Sequence, residues 1–178
     1  MTQASPRILV LGVGNVLLRD EGFGIRVIEK LRKWYDFPDR VTIVDGGVLG
    51  VHLMGVIAGA DHLIVVDIIR NHGRSGQLHR LAGADIPGRI RAKNSLHQID
   101  FLEALTLCQA LDKVPETVIV GAEPEDMETL AIGLTPTLEA SVDPVIEMVL
   151  AELERLGCPA AKRTTAHVPG DTFPHYED

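Results

Sequence analysis

A chain of 178 residues, 46% hydrophobic and 24% charged, has the size and apolar content of one globular domain rather than of a disordered segment. Its net charge of −8, with no long run of Lys and Arg, excludes a nucleic acid as the natural partner. The two cysteines, Cys108 and Cys158, form no CxxC pair, which excludes a disulfide framework and a thiolate zinc site.

The opening residues lack a basic region, and the apolar run Ile8–Leu11 is too short for a signal core or a membrane span. No later stretch approaches the roughly 18 apolar residues of a membrane helix, so the expectation is a cytoplasmic protein with no membrane partner. Ile8–Leu11 reads as a fully apolar strand ended by Gly12-Val-Gly14. Ile25, Ile28, Leu31 and Tyr35 recur at helical spacing, and Pro38 stops that helix. Val41–Val44 is a second strand closed by Asp45-Gly-Gly47, a short helix follows around Leu49–Ile57, and Leu63–Val66 is a third strand ending on Asp67. Gln77–Leu81 reads as an additional edge strand, Ile99–Leu111 as a helix holding Cys108 as a buried small hydrophobe, and Thr117–Val120 as another strand.

Thr135 and Pro136 announce the last helix as N-cap and first helical residue, and Leu138, Val142, Val145, Val149, Leu153 and Leu156 trace its buried face. From Gly157 the periodicity stops, so residues 157–178, with His167 and His175, read as a disordered, solvated tail behind a domain of residues 1–156. Strands alternating with helices predict a single α/β domain: a twisted, mainly parallel sheet of about five strands with helices on both faces.

In such a sheet ligands bind beyond the carboxyl ends of the strands, and the polar residues collect there. A dinucleotide fingerprint fails because its third glycine position is Leu17, and Asp45 lies beyond the usual spacing of roughly 20 residues. No phosphate loop, GxSxG elbow or HExxH helix occurs, and Ser95 and His97 lack the accompanying motifs of a serine hydrolase. Glu21, Asp67 and His97 remain: two carboxylates and an imidazole able to converge on a borderline cation such as nickel, zinc or cadmium. Each has a plain structural alternative. Glu21 suits a helix N-terminus by charge, Asp67 suits a structural hydrogen bond, and His97 suits a helix cap.

The segment Ile8-Leu-Val-Leu-Gly-Val-Gly-Asn-Val-Leu-Leu-Arg-Asp-Glu-Gly-Phe-Gly24 resembles the opening motif of hydrogenase maturation endopeptidases, GxGNxLxxD[DE]GxG. The likeness continues through Val44–Gly47, Asp61–Asp67, Ser95–Gln98, Gly121–Glu125 and Gly133–Pro136, and covers about residues 7 to 156. It implies an α/β domain whose metal-binding residues fall on the acidic position of Asp20-Glu21, on Asp67 and on His97. It further implies an enzyme that inspects nickel already inserted in a hydrogenase large-subunit precursor, then cleaves once to release a C-terminal peptide. The ion then serves either as a recognition element or as a Lewis acid, with a carboxylate as general base and direct attack by water. A monomer is expected. One departure from the family pattern is Glu123, where relatives often carry an apolar residue followed by Gln. A nucleotide-binding module and a non-catalytic maturation partner are the alternatives.

Overall fold

The computed structural model describes residues 6–47, 54–83, 86 and 114–167. Strand β1 (Ile8–Val13) is buried along its whole length, as a strand covered on both faces must be. It pairs in parallel with β3 (Val41–Gly47) on one side and with β4 (His62–Ile68) on the other. Beyond β4 lie β6 (Glu116–Ala122), parallel to it, and β5 (Leu78–Ala82), which runs antiparallel to β6 at the edge. The resulting order is β3-β1-β4-β6-β5. This is the expected mainly parallel five-stranded sheet, with the edge strand of the Gln77–Leu81 region in place.

Alternation along the strands divides the core in two. Ile8, Val10, Ile64, Val66, Val118 and Val120 face helices α1 (Phe23–Trp34) and α3 (Pro136–Arg155). Leu9, Leu11, Leu63, Val65 and Ile119 face the other way, toward Ile57 of the short helix α2 (Met54–Ala58) and toward Ile86. On α1, Phe23, Val27, Ile28 and Leu31 are fully buried on one stripe, each contributing about 1.5–3 kcal/mol by leaving water. Arg26 and Glu29 pair at 2.9 Å on the outer side, and Arg32 and Lys33 suit the negative C-terminal end of the helix. The Thr135 hydroxyl accepts from the Leu138 N–H at 3.4 Å, with Pro136 in the first turn, and α3 runs on through Pro144.

The expectation of a disordered tail from Gly157 does not hold over residues 157–167. Gly157, at φ +69°, closes α3 with paired C-terminal bonds: its N–H donates to Glu154 O at 2.9 Å, and Cys158 N–H donates to Leu153 O at 2.8 Å. Cys158 then lies fully buried in the core between α1 and α3. Strand β7 (Ala161–Lys162) pairs antiparallel with β2 (Tyr35–Asp36), directly after α1. Arg163 and His167 donate their backbone N–H groups to Trp34 O and Lys33 O at 2.8 and 2.9 Å. The docking is carried by backbone bonds, by the Arg163 guanidinium on Asp36 and the Arg32 carbonyl, and by one small apolar side chain, which leave no hydrophobic period in the sequence. Residues 168–178, and the helix expected over 99–111 with Cys108, lie outside the described residues.

Candidate functional site

The chain leaves β1 through α1 to reach β3 on one side, then crosses to β4 on the other. The connections therefore diverge at the carboxyl ends of β1 and β4, where an open α/β sheet forms its ligand crevice. A 3-10 turn, Arg19–Gly22, is laid over this edge by the close seating of α1. A Cβ on Gly24 would stand 2.3 Å from the carbonyl oxygens of both Val13 and Val66, so only glycine lets the helix touch the two strand ends. The glycines of the first loop serve the same internal packing. A Cβ on Gly14 would fall 1.9 Å from Glu21 O, and Asn15 N–H donates to that oxygen at 3.1 Å. The chain's own backbone occupies the space a dinucleotide fingerprint keeps open for pyrophosphate, which removes the physical basis of the nucleotide reading.

Adjacent residues on this turn have different fates. Asp20 is fully buried, and its Oδ2 accepts from Glu125 N–H at 2.9 Å, Asp126 N–H at 2.8 Å and the Thr135 hydroxyl at 3.1 Å. Its Oδ1 accepts from Thr135 N–H at 2.8 Å. Four donors to one carboxylate satisfy a buried charge, and they fasten the loop between β6 and α3 to the turn. Asp20 is thus a structural staple, a role the sequence left merged with that of its neighbour.

Glu21, 7% exposed, sits on the turn at the rim of the crevice, and Asp67, 6% exposed, sits at the end of β4. Asp67 Oδ1 accepts from Ile68 N–H at 2.7 Å, and β6 lies beside it with Gly121 in register. The turn packs against β4, so the fold brings Glu21 and Asp67 to one edge of the sheet. His97 lies outside the described residues, and among the described residues no group of three His, Cys, Asp or Glu side chains surrounds a common point.

Two further buried polar residues pair beside this edge: Glu123, noted in the sequence as a departure from the family pattern, and His79, which the sequence reading missed. Glu123, just beyond β6, is buried and accepts from Asn71 N–H at 3.0 and 2.9 Å, while its Oε2 meets His79 Nε2 at 3.0 Å. His79 is buried on β5, paired in register with Gly121. The acidic departure at position 123 is thereby accounted for: Glu123 ties the segment after Asp67 to the edge strand. For His79 the available signal was its inward position on the edge strand, where it shares the buried face with Leu81.

Comparison with known proteins bears on what such an edge does. A family model described as hydrogenase maturation protease matches residues 25–152. The hydrogenase 2 maturation protease of Escherichia coli K12 is 41% identical over 163 residues, spanning 90% of this chain and 99% of that protein. The hydrogenase expression/formation protein HupD of Bradyrhizobium diazoefficiens is 38% identical over 160 residues, 89% of this chain and 83% of the relative. Among solved structures, the hydrogenase maturating endopeptidase HybD from E. coli superposes with a TM-score of 0.85 at 41% identity, covering 89% of this chain and 98% of that one. The [NiFe] hydrogenase maturation protease HybD from Thermococcus kodakarensis, at 23% identity and a TM-score of 0.67, shares the fold. A family match over most of the chain, near-complete coverage of a relative at 41% identity and a common sheet agree, and this chain belongs to the hydrogenase maturation proteases, a family of endopeptidases.

Proposed function

We propose that this protein acts in the cytoplasm, as a monomer, on the nickel-loaded large-subunit precursor of a [NiFe] hydrogenase, cleaving it once to release its C-terminal extension. Family membership supports the reaction class. The observation that supports Glu21 as the acidic ligand is the commitment of Asp20. A carboxylate gripped by four protein donors has no orientation left for a substrate, and the turn that carries its neighbour Glu21 packs against β4, the strand that carries Asp67.

Nickel belongs to the substrate in this reading, and zinc or cadmium can stand in for it. Glu21, Asp67 and His97 are the residues that meet the ion. Two oxygen donors and an imidazole nitrogen suit a borderline divalent metal and leave positions for ligands from the precursor. A bound ion supplies a positive charge that polarises the scissile carbonyl. The chain itself positions the peptide bond and offers a carboxylate to take a proton from water. The water oxygen bonds to the carbonyl carbon, the C–N bond breaks, and the proton passes to the leaving amine.

The test is cleavage of nickel-loaded precursor, weighed by mass spectrometry, with Glu21→Gln, Asp67→Asn and His97→Ala. Each variant is expected to fold and to lose most activity, and double variants are expected to be little worse than single ones, as for residues acting as a unit. Cleavage by His97→Ala near the parent rate would remove His97 from the site.

A further inference from the structure

The same staple that commits Asp20 also builds a surface. Leu18 and Ala131 form an isolated parallel bridge, with Ala131 N–H donating to Leu17 O at 3.1 Å and Arg19 N–H to Ala131 O at 3.0 Å. Asp20 N–H donates to Asp126 O at 3.0 Å, and Asp126 Oδ1 accepts from Glu128 N–H at 3.1 Å and Thr129 N–H at 3.0 Å. Two loops 105 to 115 residues apart are thus locked together beside the crevice. On this fixed frame three large apolar side chains face solvent: Leu17 at 52% exposure, Leu130 at 78% and Ile132 at 76%. They flank the Leu18–Ala131 bridge, and strand alternation sends the flanking side chains to its outer side. A rigid loop that holds Leu and Ile outward gains nothing for the monomer, and such patches mark interaction sites.

The geometry points to Leu17, Leu130 and Ile132 as the docking platform for the protein substrate, gripping an apolar segment with basic neighbours that lies within a few residues of the scissile bond. This rests on the reading of the Glu21–Asp67 edge as the cleavage site. Two observations commit the occupant. The platform is continuous with that edge: Leu17 lies two residues before the Arg19–Gly22 turn that carries Glu21, and its carbonyl accepts from Ala131 N–H, next to Leu130 and Ile132. The loop is acidic, with Glu125 and Glu128 exposed on the same segment as Leu130, while Arg19 is directed at Asp126 at 3.8 Å. An apolar centre on an acidic loop complements an apolar segment with basic flanks, and it excludes a second copy of this acidic chain as the preferred occupant.

The experiment uses the full chain and the purified nickel-loaded large-subunit precursor of its own host's hydrogenase. Binding is followed by biolayer interferometry with Glu21→Gln as the non-cleaving background, and cleavage is followed in parallel. Leu130→Ser with Ile132→Ser is expected to weaken binding at least tenfold and to raise KM correspondingly, with an unchanged melting temperature because both side chains are exposed. Glu125→Gln with Glu128→Gln is expected to slow association and flatten its dependence on salt. Parent-like binding by the serine double variant, or no binding of the precursor to the parent, overturns the platform. Patch-dependent binding without cleavage by the parent would instead uphold the platform and sink the endopeptidase reading, so the two failures are distinguishable.

Discussion

Replacing Asp20 by Asn tests whether this residue is the staple and Glu21 the working carboxylate. The amide retains one acceptor oxygen, but three donors converge on Oδ2 and a fourth on Oδ1. Whichever way the amide turns, its NH2 confronts at least one backbone N–H that is then left unpaired. Losing a charge-assisted bond costs about 1.5–3 kcal/mol and stranding a buried donor about 1–3 kcal/mol more, a total of about 2.5–6 kcal/mol. That is a large part of the about 5–15 kcal/mol by which domains hold together, and it should lower the melting temperature by roughly 10 °C. Glu21→Gln, one residue away, should abolish cleavage at a smaller cost in stability than Asp20→Asn. Urea denaturation followed by circular dichroism, beside the cleavage assay, reads both. An Asp20→Asn variant as stable as its parent, or a Glu21→Gln variant more damaged in stability than Asp20→Asn, would refute the division of labour.

Truncation after Gly157 removes Cys158 from the core and the β2–β7 pairing, and should cost on the order of 2–4 kcal/mol in denaturant titration; an unchanged midpoint would show that residues 158–167 do not stabilise the domain. Gly24→Ala drives a methyl group against the Val13 and Val66 carbonyls, at a cost of about 1–3 kcal/mol, and should displace the turn carrying Glu21, so that cleavage falls by more than folded fraction does. The Arg80 hydrogen bond, assisted by Arg155, holds the buried Glu152 carboxyl below its ordinary value of 4.5. Its stabilisation is therefore fully present above that unfolded value and is lost as pH falls through the lower folded one, and Glu152→Gln should flatten this acid limb in urea midpoints measured below about pH 4.5.

Much of the frame was legible because it rests on local pattern. Continuous apolar runs marked β1 and β4 as strands of a mainly parallel sheet, and Thr135-Pro136 marked the start of α3. The edge position of Asp67 followed from its place after an apolar strand. What stayed hidden depends on partners distant in the chain. Asp20 and Glu21 are adjacent residues with the same functional group, and the donors that fix Asp20 come from residues 125, 126 and 135, far along the chain. The His79–Glu123 pair joins positions 44 apart, one on β5 and one just beyond β6, two strands whose antiparallel pairing no local pattern announces. The docked stretch after α3 looked like a tail because Gly157 signals a helix stop whether the chain then leaves the domain or, as here, folds back along α1.

We propose that Glu21, Asp67 and His97 read a metal delivered by the substrate. The most direct test is to incubate the protein with matched nickel-loaded and nickel-free large-subunit precursor and weigh the products by mass spectrometry. The account requires a single cut, with release of the C-terminal peptide, in the loaded precursor alone. Equal processing of the nickel-free precursor would contradict it.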